Sequence, residues 1–147
     1  MRISVIGGGY VGLVTAACFA ELGHDVRIIE IDKRKAEQIN AGKPPIYEDK
    51  LEGILKQSIG KRLSAQCNYD GINDSDLIFI CVGTPPQDDG SADLRYILSA
   101  AESIGSALSG SDSFHVVTVK STVPPGTTES VVVPAVLRKS GKFSGTI

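Results

Sequence analysis

The sequence predicts an α/β fold, doubly wound, with a mainly parallel sheet between two helical layers (three layers, α/β/α). Three observations predict it. Short β-branched runs alternate with longer amphipathic stretches along the chain. The first run ends in a glycine cluster that opens a helix-like segment. The run Asp76–Val82 is apolar on both faces, as a strand inside a parallel sheet requires.

The elements follow in order. Ile3–Ile6 stops at glycine and suits a buried strand. Tyr10–Leu22 is rich in Ala, Leu and Val, with small residues at Thr15, Ala16 and Ala17. It reads as a helix lying close on a sheet, with Gly23 as its C-cap. Asp25–Ile31 is the second strand, so strand, glycine turn, helix and strand form a βαβ unit within about 30 residues. Lys33–Ala41 has helical spacing, with Ala36, Ile39 and Asn40 on one face and Gly42 closing it. Lys43-Pro44-Pro45 breaks the chain. Glu48–Ile59 carries Leu51, Ile54, Leu55 and Ile59 at helical spacing. Leu63–Tyr69 is a weak strand, and Asp76–Val82 is stopped by Thr84-Pro85-Pro86 and a polar loop, Gln87–Ala92. Asp93–Leu108 is a helix with Asp93 as N-cap and Leu94, Ile97, Leu98, Ala101, Ile104 and Leu108 inward. Phe114–Val119 is a strand that ends in Lys120-Ser121-Thr122. After Pro124-Pro125-Gly126, Thr127–Arg138 is a helix in which Pro134 forces a kink or a late start. Residues 1–138 are expected to form the domain and 139–147 a loose Gly/Ser/Lys-rich tail.

Composition bounds the function. The 147 residues are 41% hydrophobic and 22% charged, which suits one globular domain and excludes disordered and fibrous classes. Fifteen basic against 17 acidic residues leave a net charge of −2. Such a chain is not built to hold nucleic acid or a membrane surface by bulk charge. There is no signal-like N-terminus and no apolar run near ~20 residues, so a cytoplasmic location is expected. Cys18, Cys67 and Cys81 are odd in number, form no C-x-x-C pair and read as buried free thiols. His24 and His115 read as structural or surface residues. No set of residues has metal-ligand spacing, so no metal is expected. A domain of this size can bind a nucleotide, whereas a two-substrate enzyme usually needs more chain.

Gly7-Gly8-Gly9-Tyr10-Val11-Gly12 fits G-x-G-x-x-G in the context that gives the pattern meaning. Gly7 makes the tight turn, Gly9 lets the backbone approach a pyrophosphate, and Gly12 lets helix and strand pack closely. The pyrophosphate then rests on the helix N-terminus. Glu30 ends the second strand 18 positions after Gly12, the place of a ribose-binding carboxylate. A carboxylate there repels a 2′-phosphate, so NAD is expected over NADP, although Lys33, Arg34 and Lys35 follow immediately. These are the marks of a Rossmann-type dinucleotide domain.

Later segments narrow the reading. Gly9-Tyr10-Val11-Gly12-Leu13, Gly42-Lys43-Pro44-Pro45-Ile46-Tyr47-Glu48 with Leu51, Val82-Gly83-Thr84-Pro85, Gly90-Ser91-Ala92-Asp93-Leu94 and Lys120-Ser121-Thr122-Val123-Pro124-Pro125-Gly126-Thr127 stand in order along the chain. In this order they resemble the NAD-binding domain of the UDP-glucose/GDP-mannose dehydrogenase family. The resemblance implies that Tyr10, Val11, Glu30, Lys35, Gly83, Thr84 and Ser121 contact NAD. It places Thr122 near the nicotinamide as a catalytic residue that helps position a water, and leaves Lys120 between ligand and surface roles. Within the family it points to oxidation of UDP-glucose to UDP-glucuronate in two NAD-dependent steps. The UDP-sugar would be bound with a second domain that carries the cysteine nucleophile, and the full-length enzyme would be a homodimer. None of the three cysteines here lies in a segment like that cysteine loop. Glu30 stands where the family more often carries Asp, and the Asn-Pro-Glu-Phe-Leu segment is absent. The sequence therefore reads as a truncated chain, the cofactor part of a longer enzyme, expected to bind NAD without turning over. Two other readings stay open: the cofactor domain of another dehydrogenase, and an NAD-sensing regulatory domain.

Overall fold

The computed structural model describes residues 1–142. The elements in order are β1 (Arg2–Ile6), α1 (Tyr10–Glu21), β2 (Asp25–Ile29), α2 (Lys33–Asn40), α3 (Leu51–Ser58), β3 (Leu63–Gln66), β4 (Leu77–Ile80), α4 (Arg95–Leu108), β5 (Val116–Val119) and α5 (Val133–Ser140). The strands form one parallel sheet in the order β3-β2-β1-β4-β5. Ile3 pairs with Val26 on one side and Leu77 on the other, so β1 lies in the middle. The chain builds outward from β1 to β3, then restarts beside β1 at β4. That reversal between β1 and β4 is the switch point at which open α/β sheets bind ligands.

Alternation along the strands divides the core in two. Ile3, Val5, Val26 and Ile28 meet Leu13, Ala16 and Ala17 of α1, Ile39 of α2 and Leu55 of α3. Ile6, Ile29, Ile78 and Ile80 meet Ile97, Ala101 and Ile104 of α4 and Val136 of α5. The three-layer, doubly wound architecture is the one the sequence predicts. α1 packs tightly through its alanines, and its end is closed as expected: the N–H groups of Gly23 and His24 return to the carbonyls of Ala20 and Phe19.

Several boundaries differ from expectation, each for a local reason. The third helix starts at Leu51 rather than Glu48, because the segment before it is held elsewhere and Lys50 takes φ of +64°. Asp93 is not the N-cap of α4; that place falls to Leu94. The Asp93 N–H is tied back to the Pro85 carbonyl at 2.9 Å, while its carboxylate takes the Arg95 N–H at 3.0 Å. Leu98 is exposed, not inward. Cys18 and Cys67 are exposed, not buried: the outer side of α1 is uncovered at Cys18, and β3 ends at Gln66, leaving Cys67 in a turn. A 3₁₀ turn at Ile72–Asp74, not foreseen, places buried Ile72 under the sheet. Before α5 the chain makes a π turn, Thr128–Val132. Pro134 has no N–H to return to the Ser130 carbonyl, so the irregularity expected at Pro134 appears as a widened turn. α5 runs to Ser140, two residues beyond the expected helix end. The rest of the expected tail, from 143 on, lies outside the described residues.

Candidate dinucleotide site

The turn after β1 is built by its glycines. Gly7 has φ of +101°, and a Cβ there would lie 2.8 Å from the Cys81 carbonyl oxygen. A Cβ on Gly12 would overlap the Gly7 carbonyl oxygen, so α1 can begin directly above the turn only with glycine at that position. Gly9 faces open space, with no protein atom within 4 Å of where a Cβ would stand. The first turn of α1 has no side-chain cap. Among the described residues the N–H groups of Gly9, Tyr10 and Val11 reach no acceptor. Free donors, the positive end of a helix and an open cradle together make an anion site.

Glu30 stands immediately past β2 and is only 7% exposed. Its two carboxylate oxygens accept the N–H groups of Gly8 and Asp32, each at 2.9 Å. The carboxylate thus ties the glycine turn to the end of β2, which the sequence alone did not reveal. Each oxygen keeps a lone pair for a further donor. Asp32 caps α2 by accepting the Arg34 N–H at 2.9 Å. Lys33, Arg34 and Lys35 are exposed on the first turn of that helix, next to Glu30.

The other half of the rim comes from the exits of β4 and β5. The N–H groups of Lys120 and Ser121 converge on the Ile80 carbonyl at 2.9 and 3.1 Å, which ends the ladder. The Ser121 hydroxyl donates to the Val82 carbonyl at 2.6 Å, and the Thr84 hydroxyl donates to the Thr122 carbonyl at 2.8 Å. Gly83 is exposed with nothing near its Cα face. Thr122 is exposed, and among the described residues its hydroxyl has no partner. The structure therefore brings Gly7–Gly12, Glu30, Gly83, Thr84, Ser121 and Thr122 to one edge of the sheet. Strands ~4.8 Å apart set the exits of β2 and β5 ~14 Å apart, a span that an extended dinucleotide covers.

Other residues fall outside this edge or serve it indirectly. The Tyr10 hydroxyl donates to the Glu48 carboxylate, fastening the segment between α2 and α3 to the start of α1. The Lys120 side chain lies along an apolar hollow of about 380 Å³ lined by Val14, Cys18, Phe19, Leu22 and Phe79. Burial pushes the Cys81 thiol up to about 11, with the Lys120 charge opposing. That is the wrong direction for a nucleophile. His115 is fully buried, its Nδ1 within 2.7 Å of the Ser75 carbonyl and its Nε2 within 2.9 Å of the Ser111 hydroxyl, so it is structural. No cluster of potential metal ligands occurs among the described residues, and no helix among them is long and apolar enough to cross a membrane.

Residues 1–146 match the model of the UDP-glucose/GDP-mannose dehydrogenase family, NAD binding domain. The chain belongs to that family. A UDP-glucose 6-dehydrogenase of Haloferax volcanii is 46% identical over 145 residues, 99% of this chain and 34% of the relative. A GDP-mannose 6-dehydrogenase of Pseudomonas aeruginosa is 44% identical over 147 residues, again 99% of this chain and 34% of the relative. A solved ternary complex of GDP-mannose dehydrogenase from the same bacterium superposes with a TM-score of 0.94 at 44% identity, covering 97% of this chain and 33% of that one. A UDP-glucose dehydrogenase from Pyrobaculum islandicum follows at 0.91 and 44%. The chain thus spans about a third of the length of these relatives. The family is one of nucleotide-sugar dehydrogenases, and this unit is its NAD-binding domain. The open cradle at Gly9 and the carboxylate beside it fit that cofactor.

Proposed function

We propose that this unit holds NAD for an enzyme that oxidises UDP-glucose to UDP-glucuronate in two NAD-dependent steps, and that alone it binds NAD without turning over. The observation that carries the cofactor reading is the run of free N–H donors at Gly9–Val11 above an open cradle, with Glu30 to one side. On this reading the pyrophosphate takes those donors, and the adenosine ribose hydroxyls take the remaining lone pairs of Glu30. Lys35 reaches the adenosine half, and Thr122 offers its free hydroxyl at the far end of the rim. Bound nicotinamide supplies the hydride acceptor; the chain's own part is to hold and orient it. UDP-glucose is supported by relatives that act on it, at 46 and 47% identity. GDP-mannose is the second reading, supported by the TM-score of 0.94.

Calorimetry on this chain tests the cofactor part. We expect wild type to bind NAD over NADP, and Glu30→Ala to weaken NAD and narrow that gap. NAD affinity untouched by the substitution would remove Glu30 from the site. Absorbance at 340 nm with UDP-glucose and GDP-mannose in turn, on a protein of the relatives' length that carries this unit, decides the sugar, and sustained NADH formation by residues 1–147 alone would overturn the inactivity.

A further inference from the structure

The ladder between β4 and β5 stops at Ile80 and Val119, yet the two exits do not separate. Beyond the last backbone pair each exit lends a hydroxyl to the other. Ser121, on the β5 side, donates to Val82 at 2.6 Å, and Thr84, on the β4 side, donates to Thr122 at 2.8 Å. The bonds are reciprocal, joining neighbours on the β5 side (Ser121 and Thr122) to residues two positions apart on the β4 side (Val82 and Thr84), so side chains continue what the backbone ladder leaves off. Neither hydroxyl proton is then free for a ligand.

We propose that Thr84 and Ser121 are positioning residues. They lace the two exits into one wall and so fix Thr122 at the nicotinamide end of the cofactor, rather than contacting the dinucleotide through their hydroxyl protons. The proposal rests on the reading that this edge binds NAD. The order along the sheet supports the assignment to that end. Glu30 leaves β2, the glycine turn leaves β1, and the laced exits leave β4 and β5. An ADP half lying on the first two leaves the nicotinamide half for the last. An unlaced exit is an ordinary surface loop, free to adopt several conformations before it can meet a ligand. Lacing removes that entropic cost for the nicotinamide half alone.

The experiment compares NAD with ADP-ribose, which lacks the nicotinamide, by calorimetry on this chain. Thr84→Val keeps the shape and removes the donor. It should lower NAD affinity about fivefold, the worth of one ordinary hydrogen bond, and leave ADP-ribose affinity within about twofold. Thr84→Ser should restore NAD binding, because the hydroxyl returns. Ser121→Ala should repeat the Thr84→Val pattern independently and serves if that variant folds poorly. NADH bound to either deficient variant should fluoresce less than on wild type, reporting a looser nicotinamide. Equal loss for NAD and ADP-ribose, full NAD affinity in both variants, or no rescue by serine would overturn the proposal. Wild type that binds neither ligand would overturn the NAD reading itself, a result distinct from any of these.

Discussion

At Cys81 a residue's identity and its chemistry separate. It lies past β4 against the glycine turn, close to where a reaction would occur, and a lysine stands nearby. Yet burial dominates, and the thiol is held at about 11. Thiolate, not thiol, attacks electrophiles, so only ~1 in 1,000 molecules is reactive there at pH 8. Iodoacetamide at pH 8 should therefore add two groups to the native chain, at Cys18 and Cys67, read by mass spectrometry. The third should appear only on unfolding or as pH approaches 11. Rapid modification of Cys81 in native protein at pH 8 would contradict its burial. Glu30 teaches the complementary lesson. Its spacing from Gly12 was legible in the sequence, but its grip on the Gly8 N–H was not, because that donor lies in a turn 22 residues away.

Helix packing gives three glycines opposite expectations. Alanine favours a helix over glycine by about 1 kcal/mol, so space decides the sign. At Gly105 of α4 a Cβ would lie 2.6 Å from the Val136 carbonyl oxygen and 2.7 Å from the Lys139 Cβ on α5. At Gly12 it would overlap the turn itself. Overpacking costs 1–3 kcal/mol or more, so Gly105→Ala and Gly12→Ala should lower the melting temperature by several degrees. Gly53 on α3 has nothing within 4 Å, so Gly53→Ala should raise it. Circular dichroism melts of the three variants check the ordering, and a stabilised Gly12→Ala would refute the close approach. Helix and strand identities were legible because their apolar periods are local. The starts of α3 and α4 were not, since Tyr10 claims Glu48 and Pro85 claims the Asp93 N–H across gaps in sequence. The lacing of Thr84 and Ser121 was invisible for the same reason: local sequence marked those residues as rim, while their partners come from another strand's exit.

Over the whole molecule, the order β3-β2-β1-β4-β5 gathers the glycine turn and the strand exits at one end of the sheet and leaves β5 as an outer strand. The N–H groups of Val116 and Lys120 point inward to Asp76 and Ile80, so by alternation those of Val117 and Val119 point away. Among the described residues no strand meets them. Val116–Val119 is an uncharged β-branched run, the kind of border that recruits another chain. Hydrogen exchange followed by NMR should show Val117 and Val119 amides lost well before those of Val5 and Ile28 in the sheet interior; equal protection would mean the border is covered. In concentrated solution the same border should make this unit self-associate through added strands, read as a rise in mass with concentration by light scattering. Thr118→Lys should blunt it and keep the material dispersed, since a charge on an outer strand opposes pairing with another chain.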